Sequence, residues 1–246
     1  MIQPLIPDWP VPPQVKSLIT TRLGGVSLPP YDSLNLAAHV GDEPTSVARN
    51  RRLLKETCRL PNEPFWLSQV HGCEVVDSAS ASPGCEADAV ISERPGDVCA
   101  VLTADCLPLL LTDRHGTQVC AVHAGWRGLA GGVIESAVAR MHARREDLMA
   151  WLGPAIGPDA FEVGDEVRQA FLQQASADAL AFRQRDSRHW LADLYTLARQ
   201  RLQRLGVGYI GGGNYCTMSQ AALFYSYRRE GVTGRMASLI WIEPAN

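Results

Sequence analysis

The sequence predicts one α+β domain with mixed, largely antiparallel sheets. Strand-like and helix-like segments alternate irregularly instead of forming a βαβ repeat, two strand candidates form a hairpin, and no Pro/Gly/Ser-rich linker divides the 246 residues. With 46% apolar and 20% charged residues, the chain is long enough to bury a substantial core. We therefore expect a single domain spanning 1–246, in which residues 1–16 form an extended Pro-rich N-terminal arm.

Segments rich in β-branched, aromatic and leucine side chains are predicted to be strands. They are Ser17–Thr21, Phe65–Val70, Cys73–Asp77, Ala89–Ser92, Val98–Thr103, Pro108–Thr112, Gln118–Val122, Met149–Leu152, Val207–Ile210 and Arg235–Ile242. The turn residues Asp113-Arg114-His115-Gly116 separate the sixth and seventh of these strands, which is typical of a β-hairpin.

Helices are predicted over 45–58, Gly128–Arg144, Gly164–Gln174 and Asp193–Leu205. Thr45 and Asp193 are residue types that cap helix N-termini, and Gly206 follows the last helix as a typical C-terminal stop.

Three residues that can bind a soft or borderline metal, His71, Cys106 and His123, each follow an apolar run predicted to be a strand. Pairing the hairpin strands returns Cys106 and His123 to the same end of the sheet. Three protein ligands leave one coordination position open, which is typical of catalytic zinc. Their wide spacing matches no short metal motif, so unrelated core or surface roles remain the alternative.

Asp105 precedes the candidate thiol ligand and is either a catalytic acid or base or a partner of loop amides. The segment Gly125-Trp126-Arg127-Gly128 opens a predicted helix, where Arg127 and free N–H groups could bind phosphate. The alternative is that Trp126 packs in the core and Arg127 forms a structural ion pair. Of the C-terminal arginines at 228, 229 and 235, one or more could reach the same pocket.

Longer motifs cover nearly the whole chain. They are TRLGGVS (21–27), SLNLAAHVGD (33–42), NRRLL (50–54), WLSQVHG (66–72), ADAV (87–90), LTADCLPLLL (102–111), AVHAGWRGLAGGV (121–133), WLGPAIGP (151–158), FEVGDEV (161–167), ADLYTLAR (192–199), CT (216–217) and SYRREGVTGR (226–235). In this order they closely resemble the laccase-domain, or YfiH-type, family. The resemblance implies a layered α/β/β/α fold and purine nucleoside chemistry, namely phosphorolysis of adenosine, inosine and methylthioadenosine together with adenosine deamination. It also implies that Asn35 and His39 lie near the metal and contact the purine or ribose.

The combined prediction is a zinc enzyme, with copper as the alternative metal, that acts on purine nucleosides and phosphate. The predicted metal ligands are His71, Cys106 and His123. The predicted catalytic residues are Asp105 and Cys106. The predicted substrate-binding residues are Asn35, His39, Arg127, Arg228 and Arg229.

Three other functions use the same residues. A metal-free cysteine hydrolase would use Cys106 as nucleophile and His123 or His71 as base. The family resemblance also allows a peptidoglycan-precursor editing factor. A copper-dependent polyphenol oxidase, or laccase, is less favoured because the sequence lacks the His-x-His pairs that multinuclear copper needs.

Charge and composition limit the partners. A net charge of −3 and a pI near 6.1 provide no basic stripe for a nucleic-acid polymer. No basic-then-apolar leader and no long apolar run indicates secretion or membrane insertion, and seven cysteines suit reduced thiols. We therefore expect a cytoplasmic monomer or homodimer.

Overall fold

The computed structural model describes residues 2–245, within which the chain forms twelve β-strands and six α-helices. The strands are β1 (Val15–Ile19), β2 (Val75–Asp77), β3 (Ala89–Ser92), β4 (Val98–Thr103), β5 (Leu107–Asp113), β6 (Val119–Ala124), β7 (Leu148–Leu152), β8 (Glu162–Gly164), β9 (Phe182–Gln184), β10 (His189–Ala192), β11 (Tyr209–Gly212) and β12 (Met236–Ile242). The helices are α1 (Pro44–Thr57), α2 (Trp126–Gly131), α3 (Val133–Arg140), α4 (Asp165–Leu172), α5 (Leu194–Arg204) and α6 (Tyr227–Glu230).

The strands form three sheets. The largest has six strands in the order β11-β7-β5-β6-β3-β2. A second, with the order β1-β12-β4, has longer strands than the third, with the order β8-β10-β9. We call the first two the two larger sheets and β1-β12-β4 the three-stranded sheet. Only the pairs β11–β7 and β2–β3 are parallel among the pairings of the described strands. The predicted α+β class with mixed, largely antiparallel sheets is therefore confirmed.

The core consists of apolar layers on both faces of the two larger sheets. Val101 and Ile240 of the three-stranded sheet pack against Leu110 and Ala121 of the six-stranded sheet. The other face of the six-stranded sheet is covered by α2 to α5, and the outer face of the three-stranded sheet is covered by α1. This is the α/β/β/α layering that the family resemblance implied. No helix among residues 2–245 is long and apolar enough to cross a membrane.

The predicted strand Phe65–Val70 is wrong. Phe65 makes an isolated bridge to Cys99, and Ser68 makes one to Glu86, so the segment changes partner before a ladder can form. The Gln69 side chain instead bonds the backbone of Leu102, accepting from its N–H at 2.7 Å and donating to its carbonyl at 2.8 Å. The segment therefore runs as an extended loop that leads to His71.

The predicted helix Gly128–Arg144 is also wrong in its bounds, because it is two helices. Gly132 has φ of +99°, a left-handed conformation that ends α2 and begins α3. The other helix predictions are confirmed to within two residues, although Glu43 and not Thr45 precedes α1. Asp193 caps α5 as predicted by accepting a hydrogen bond from the Thr196 N–H at 3.0 Å. Strands β8, β9 and β10 and the one-turn helix α6 were not predicted.

Asn50 of α1 holds the loop that leads towards the predicted site. Its amide donates to the Ser27 hydroxyl, to the Ser33 carbonyl and to the Asn35 carbonyl at 2.9 to 3.1 Å, and its oxygen accepts from the Val26 N–H at 2.8 Å. Asn50 is fully buried, and it is the protein partner of the Val26 N–H and of the Asn35 carbonyl, whereas the Ser27 hydroxyl also donates to Asp42 and the Ser33 carbonyl also accepts from the Ser27 N–H.

We predict that Asn50→Ala lowers the free energy of unfolding by about 3 kcal/mol, because it removes four hydrogen bonds and leaves the Val26 N–H and the Asn35 carbonyl without a protein partner. The matched control is Arg49→Ala, at the preceding exposed position of α1, which should change stability by less than about 0.5 kcal/mol. Denaturant unfolding measures both, and equal stabilities of the two variants would contradict the role of Asn50.

Candidate functional site

Strand periodicity brings Cys106 and His123 to the space between the two larger sheets. Side chains alternate between faces, and Leu110 of β5 and Ala121 of β6 point towards the three-stranded sheet. Cys106 and His123 have the same parity as these residues, and Pro108 pairs directly with His123 in the ladder. The hairpin therefore places the thiol and the imidazole side by side, as predicted.

His71 reaches the pair from the loop that follows Gln69. Its φ is +60°, a left-handed conformation that is uncommon outside glycine. Its backbone N–H donates to Asp88 Oδ1 at 2.9 Å, which holds the turn in place. Its ring lies 4.8 Å from the ring of His123, nearly edge to face.

The ligand atoms of His71, Cys106 and His123 all lie within 4.8 Å of one another, forming a metal-capable group. Gly125 provides the space around it. A Cβ at this position would lie 2.9 Å from His71 Nδ1 and 3.1 Å from Cys106 Sγ. Any side chain at residue 125 would therefore enter the space shared by the three ligands.

Asp88 on the β3 side orients two of these ligands, and it was not predicted as a site residue. Its carboxylate is fully buried and accepts from His123 Nδ1 at 2.7 Å and from the Gly72 N–H at 2.6 Å, in addition to His71. With Nδ1 occupied, His123 turns Nε2 towards the cluster. The sequence signal that could have identified it is a carboxylate in the otherwise apolar segment ADAV.

The donor set fits a borderline metal such as zinc, because two imidazoles, one thiolate and a carboxylate-oriented histidine are the groups that such a metal uses. The surroundings of Cys106 also favour the thiolate, which is the form that binds a metal. Burial opposes ionisation of Cys106, but the charges and hydrogen bonds of His123 and His71 outweigh it and lower the thiol pKa to about 6. Burial also opposes the charge on His123, yet Cys106 and Asp88 raise its pKa to about 9.

The cluster forms the floor of a cavity of about 520 Å³. This volume lies within the range of small-molecule sites, roughly 300–1,000 Å³. The walls combine arginines with aromatic and aliphatic side chains. The lining residues are His39, Gln69, His71, Leu102, Thr103, Ala104, Asp105, Cys106, His123, Trp126, Arg127, Ile156, Phe161, Tyr227, Arg228 and Arg235.

Asp105 lines this cavity with both carboxylate oxygens already bonded. Oδ1 accepts from the Thr217 hydroxyl at 2.6 Å, and Oδ2 accepts from the Arg228 N–H at 2.7 Å. Its side chain is almost completely buried, and its φ is +88°. Of the two roles that the sequence left open, the geometry favours a structural one, although the partners are a hydroxyl and an amide of α6 and not loop amides.

Three predicted substrate-binding residues, His39, Arg127 and Arg228, line the cavity. Arg127 stacks on the Trp126 ring at 4.4 Å and is exposed, and no carboxylate of residues 2–245 lies within ion-pair distance of it. Arg228 donates from Nη1 to the Glu162 carbonyl at 2.9 Å.

Asn35 and Arg229, the other two predicted substrate-binding residues, are not among the residues that line the cavity. Asn35 is fully buried, and its side chain bonds the backbone of Ala37 and Arg235. Arg229 turns away from the cavity to donate to the carbonyls of Thr217, Met218 and Phe224 at 2.6 to 2.8 Å. Both side chains therefore stabilise neighbouring backbone segments by hydrogen bonds.

Comparison with known proteins gives the same assignment as the motifs. A family model described as multi-copper polyphenol oxidoreductase laccase matches residues 16–243. The purine nucleoside phosphorylase YfiH of Escherichia coli strain K12 is 52% identical over 239 residues, covering 97% of this chain and 98% of that protein. A purine nucleoside phosphorylase of Mycobacterium bovis is 38% identical over 240 residues, covering 94% of this chain and 93% of its own.

Solved structures agree over nearly the full length. The Neisseria meningitidis protein NMB0706 matches with a TM-score of 0.95 at 51% identity, covering 98% of this chain and 99% of that one. The Bacillus licheniformis protein titled hypothetical protein YfiH matches with a TM-score of 0.89 at 30% identity, covering 94% and 93%. The chain therefore belongs to the YfiH-type laccase-domain family.

Proposed function

We propose that this protein is a zinc-dependent purine nucleoside phosphorylase that also deaminates adenosine. One observation carries the proposal: the His71, Cys106 and His123 cluster forms the floor of a cavity whose walls present arginines and aromatic rings. Phosphorolysis needs both kinds of wall, because phosphate is an anion and a purine is a flat ring. The names of relatives that are about half identical to the chain support the substrate class.

His71, Cys106 and His123 would hold the zinc, and Asp88 would keep His123 in the orientation that exposes its free nitrogen. Zinc would supply Lewis acidity at a coordination position that the three protein ligands leave open. Gly125 keeps side-chain atoms out of that space.

In the proposed phosphorolysis, cavity arginines bind phosphate and bring one of its oxygens to the anomeric carbon of the ribose. A C–O bond forms there as the C–N bond to the purine breaks, and the purine takes up the proton that hydrogen phosphate loses. The Phe161 and Trp126 rings pack against the base, while Leu102 and Ile156 exclude water from the reacting centre.

Asp105 has a positioning role in this scheme. Its carboxylate joins Thr217 to the first turn of α6, which carries Tyr227 and Arg228 over the cavity. Deamination uses the same cavity without phosphate, because water adds at the purine carbon that carries the amino group and ammonia leaves.

A metal-free cysteine hydrolase is the second candidate, and a specific observation favours it. Cys106 with a pKa near 6 beside His123 is a thiolate–imidazolium pair, the arrangement that thiol hydrolases use. An editing role on peptidoglycan precursors has no such support from the cavity. Copper oxidation ranks below both, since residues 2–245 contain one metal-capable group of this kind and dioxygen reduction by laccases needs several coppers.

The proposed function is tested by incubating zinc-loaded protein with adenosine in the presence and absence of phosphate. We expect adenine and ribose 1-phosphate only when phosphate is present, and inosine in both conditions. Metal analysis of the same sample should give about one zinc per chain. Absence of both products from protein that contains stoichiometric zinc would contradict the proposal.

We predict that Gly125→Ala weakens zinc binding at least about tenfold, because the new methyl group would lie in contact with His71 and Cys106. Gly72→Ala is the matched control. It adds a methyl to the neighbouring loop, where the nearest atoms are 3.5 Å away or further. Competition with a zinc-binding dye measures both affinities, and equal values for the two variants would mean that residue 125 does not limit the ligand space.

The two candidate chemistries make opposite predictions for Cys106. With zinc, Cys106→Asp and Cys106→His should keep part of the nucleoside turnover in proportion to the metal they retain, because both side chains can bind zinc. Cys106→Ser should lose most of the metal and the activity. With a thiol nucleophile, all three variants would be inactive at any zinc content, and metal-free wild type would keep full activity until Cys106 is alkylated.

A further inference from the structure

Arg235 is a half-buried cation that faces the cavity without a carboxylate partner. Its Nη1 donates to the Thr233 carbonyl at 2.8 Å and to the Gly234 carbonyl at 3.0 Å, and no acidic side chain of residues 2–245 lies within ion-pair distance. Burial lowers the pKa of the Arg235 guanidinium, whereas the negative charges of Cys106 and Asp105 raise it by a smaller amount. A guanidinium keeps its proton under such conditions, so the cavity wall carries a positive charge that is in ion-pair contact with no carboxylate of residues 2–245.

The fold fixes Arg235 beside the loop that carries His39. Its backbone N–H donates to Asn35 Oδ1 at 3.0 Å, and its carbonyl accepts from the Leu36 N–H at 3.4 Å. Asn35 Oδ1 also accepts from the Ala37 N–H at 3.0 Å. One buried amide therefore ties the start of β12 to the turn before His39, so that both side chains belong to the same wall.

His39 adds a hydrogen-bonding group to this wall without adding charge. Burial lowers its pKa, and the nearby charges of Arg235 and Arg51 lower it further, so the ring is largely neutral at pH 7. A neutral imidazole can donate one hydrogen bond to an oxygen that Arg235 already attracts.

The other cavity arginines are less suited to binding an anion tightly. Arg127 is exposed, stacks on Trp126 and stands on a helix of only six residues. Arg228 is exposed and uses Nη1 on the Glu162 carbonyl. Arg235 combines burial with Nε and Nη2 groups that have no protein acceptor among the described residues, and charge-assisted bonds are strongest where water is excluded.

We propose that Arg235 and His39 form the seat for inorganic phosphate in this cavity. This assignment rests on the proposed phosphorolysis and names the residues that bind its anionic substrate. The phosphate oxygen that attacks the ribose would remain free, since the wall contacts the other oxygens. Asn35 is then a positioning residue that acts through Arg235 and the His39 loop.

The test measures phosphate binding directly, apart from turnover. Thermal unfolding and calorimetric titration with inorganic phosphate are run on zinc-loaded protein at constant ionic strength, with sodium chloride as the reference salt. The variants are Arg235→Gln, which removes the charge, and Arg235→Lys, which keeps it. Arg127→Gln tests the competing cavity arginine, and Arg52→Gln removes the same charge from an exposed position on α1.

We expect phosphate to stabilise wild-type protein and Arg235→Gln to bind it at least about tenfold more weakly. Arg235→Lys should retain part of the affinity, Arg52→Gln should stay within about threefold of wild type, and Arg127→Gln should lose less affinity than Arg235→Gln. In the kinetic assay, Arg235→Gln should raise the KM for phosphate more than the KM for adenosine.

The proposal is overturned if wild type shows no stabilisation by phosphate, or if Arg127→Gln loses binding while Arg235→Gln keeps it. Adenosine 5′-monophosphate serves as a further probe, and stabilisation by this nucleotide alone would also overturn the assignment to free phosphate. Phosphate binding that depends on Arg235, in protein without phosphorolysis, would support the seat and refute the proposed function.

Discussion

The buried carboxylate of Asp88 is the constraint on which the candidate metal centre depends. It binds the side chain of one ligand histidine and the backbone of the other, while its own carbonyl accepts from the His123 N–H at 2.7 Å. A buried carboxylate without partners would cost several kcal/mol, or would take up a proton. Burial raises its pKa, but the bonds from His123, Gly72 and His71 outweigh that effect and lower it, so the group stays ionised. The same bonds that make burial of the charge tolerable therefore fix the positions of the two imidazoles.

The cavity results from the way the two larger sheets end. β4 ends at Thr103 opposite the start of β12, and β5 begins where β6 ends, so four chain segments leave the layered core at one edge. The six-stranded sheet supplies Cys106 and His123, whereas the three-stranded sheet supplies Arg235. The metal-capable group and the proposed anion-binding group thus come from different layers, and the apolar contact between the layers separates them.

Sequence reasoning located the metal-capable group because hairpin register, which brings Cys106 and His123 together, is a local property of the chain. It placed His71 after a strand that proved to be an extended loop, although the residue still reaches the group. It failed where a side chain could turn in either of two directions. Arg228, Arg229 and Arg235 lie in one turn-rich stretch, and only the folded structure shows that Arg229 on α6 turns to backbone carbonyls while Arg235 beside β12 lines the cavity. Asp88 was missed because its four-residue motif resembles a core strand. The short strands β8 to β10 have too few residues for a visible period.

The charge of the cavity bears on which of the two proposed reactions it is built for. Adenosine and water are both neutral, so a site used for deamination alone gains nothing from a guanidinium held half out of water with no acidic partner. Phosphate provides the missing negative charge, and its binding would recover electrostatic energy that the folded protein otherwise loses. Arg235 therefore favours phosphorolysis over deamination as the reaction for which the walls of the cavity are arranged.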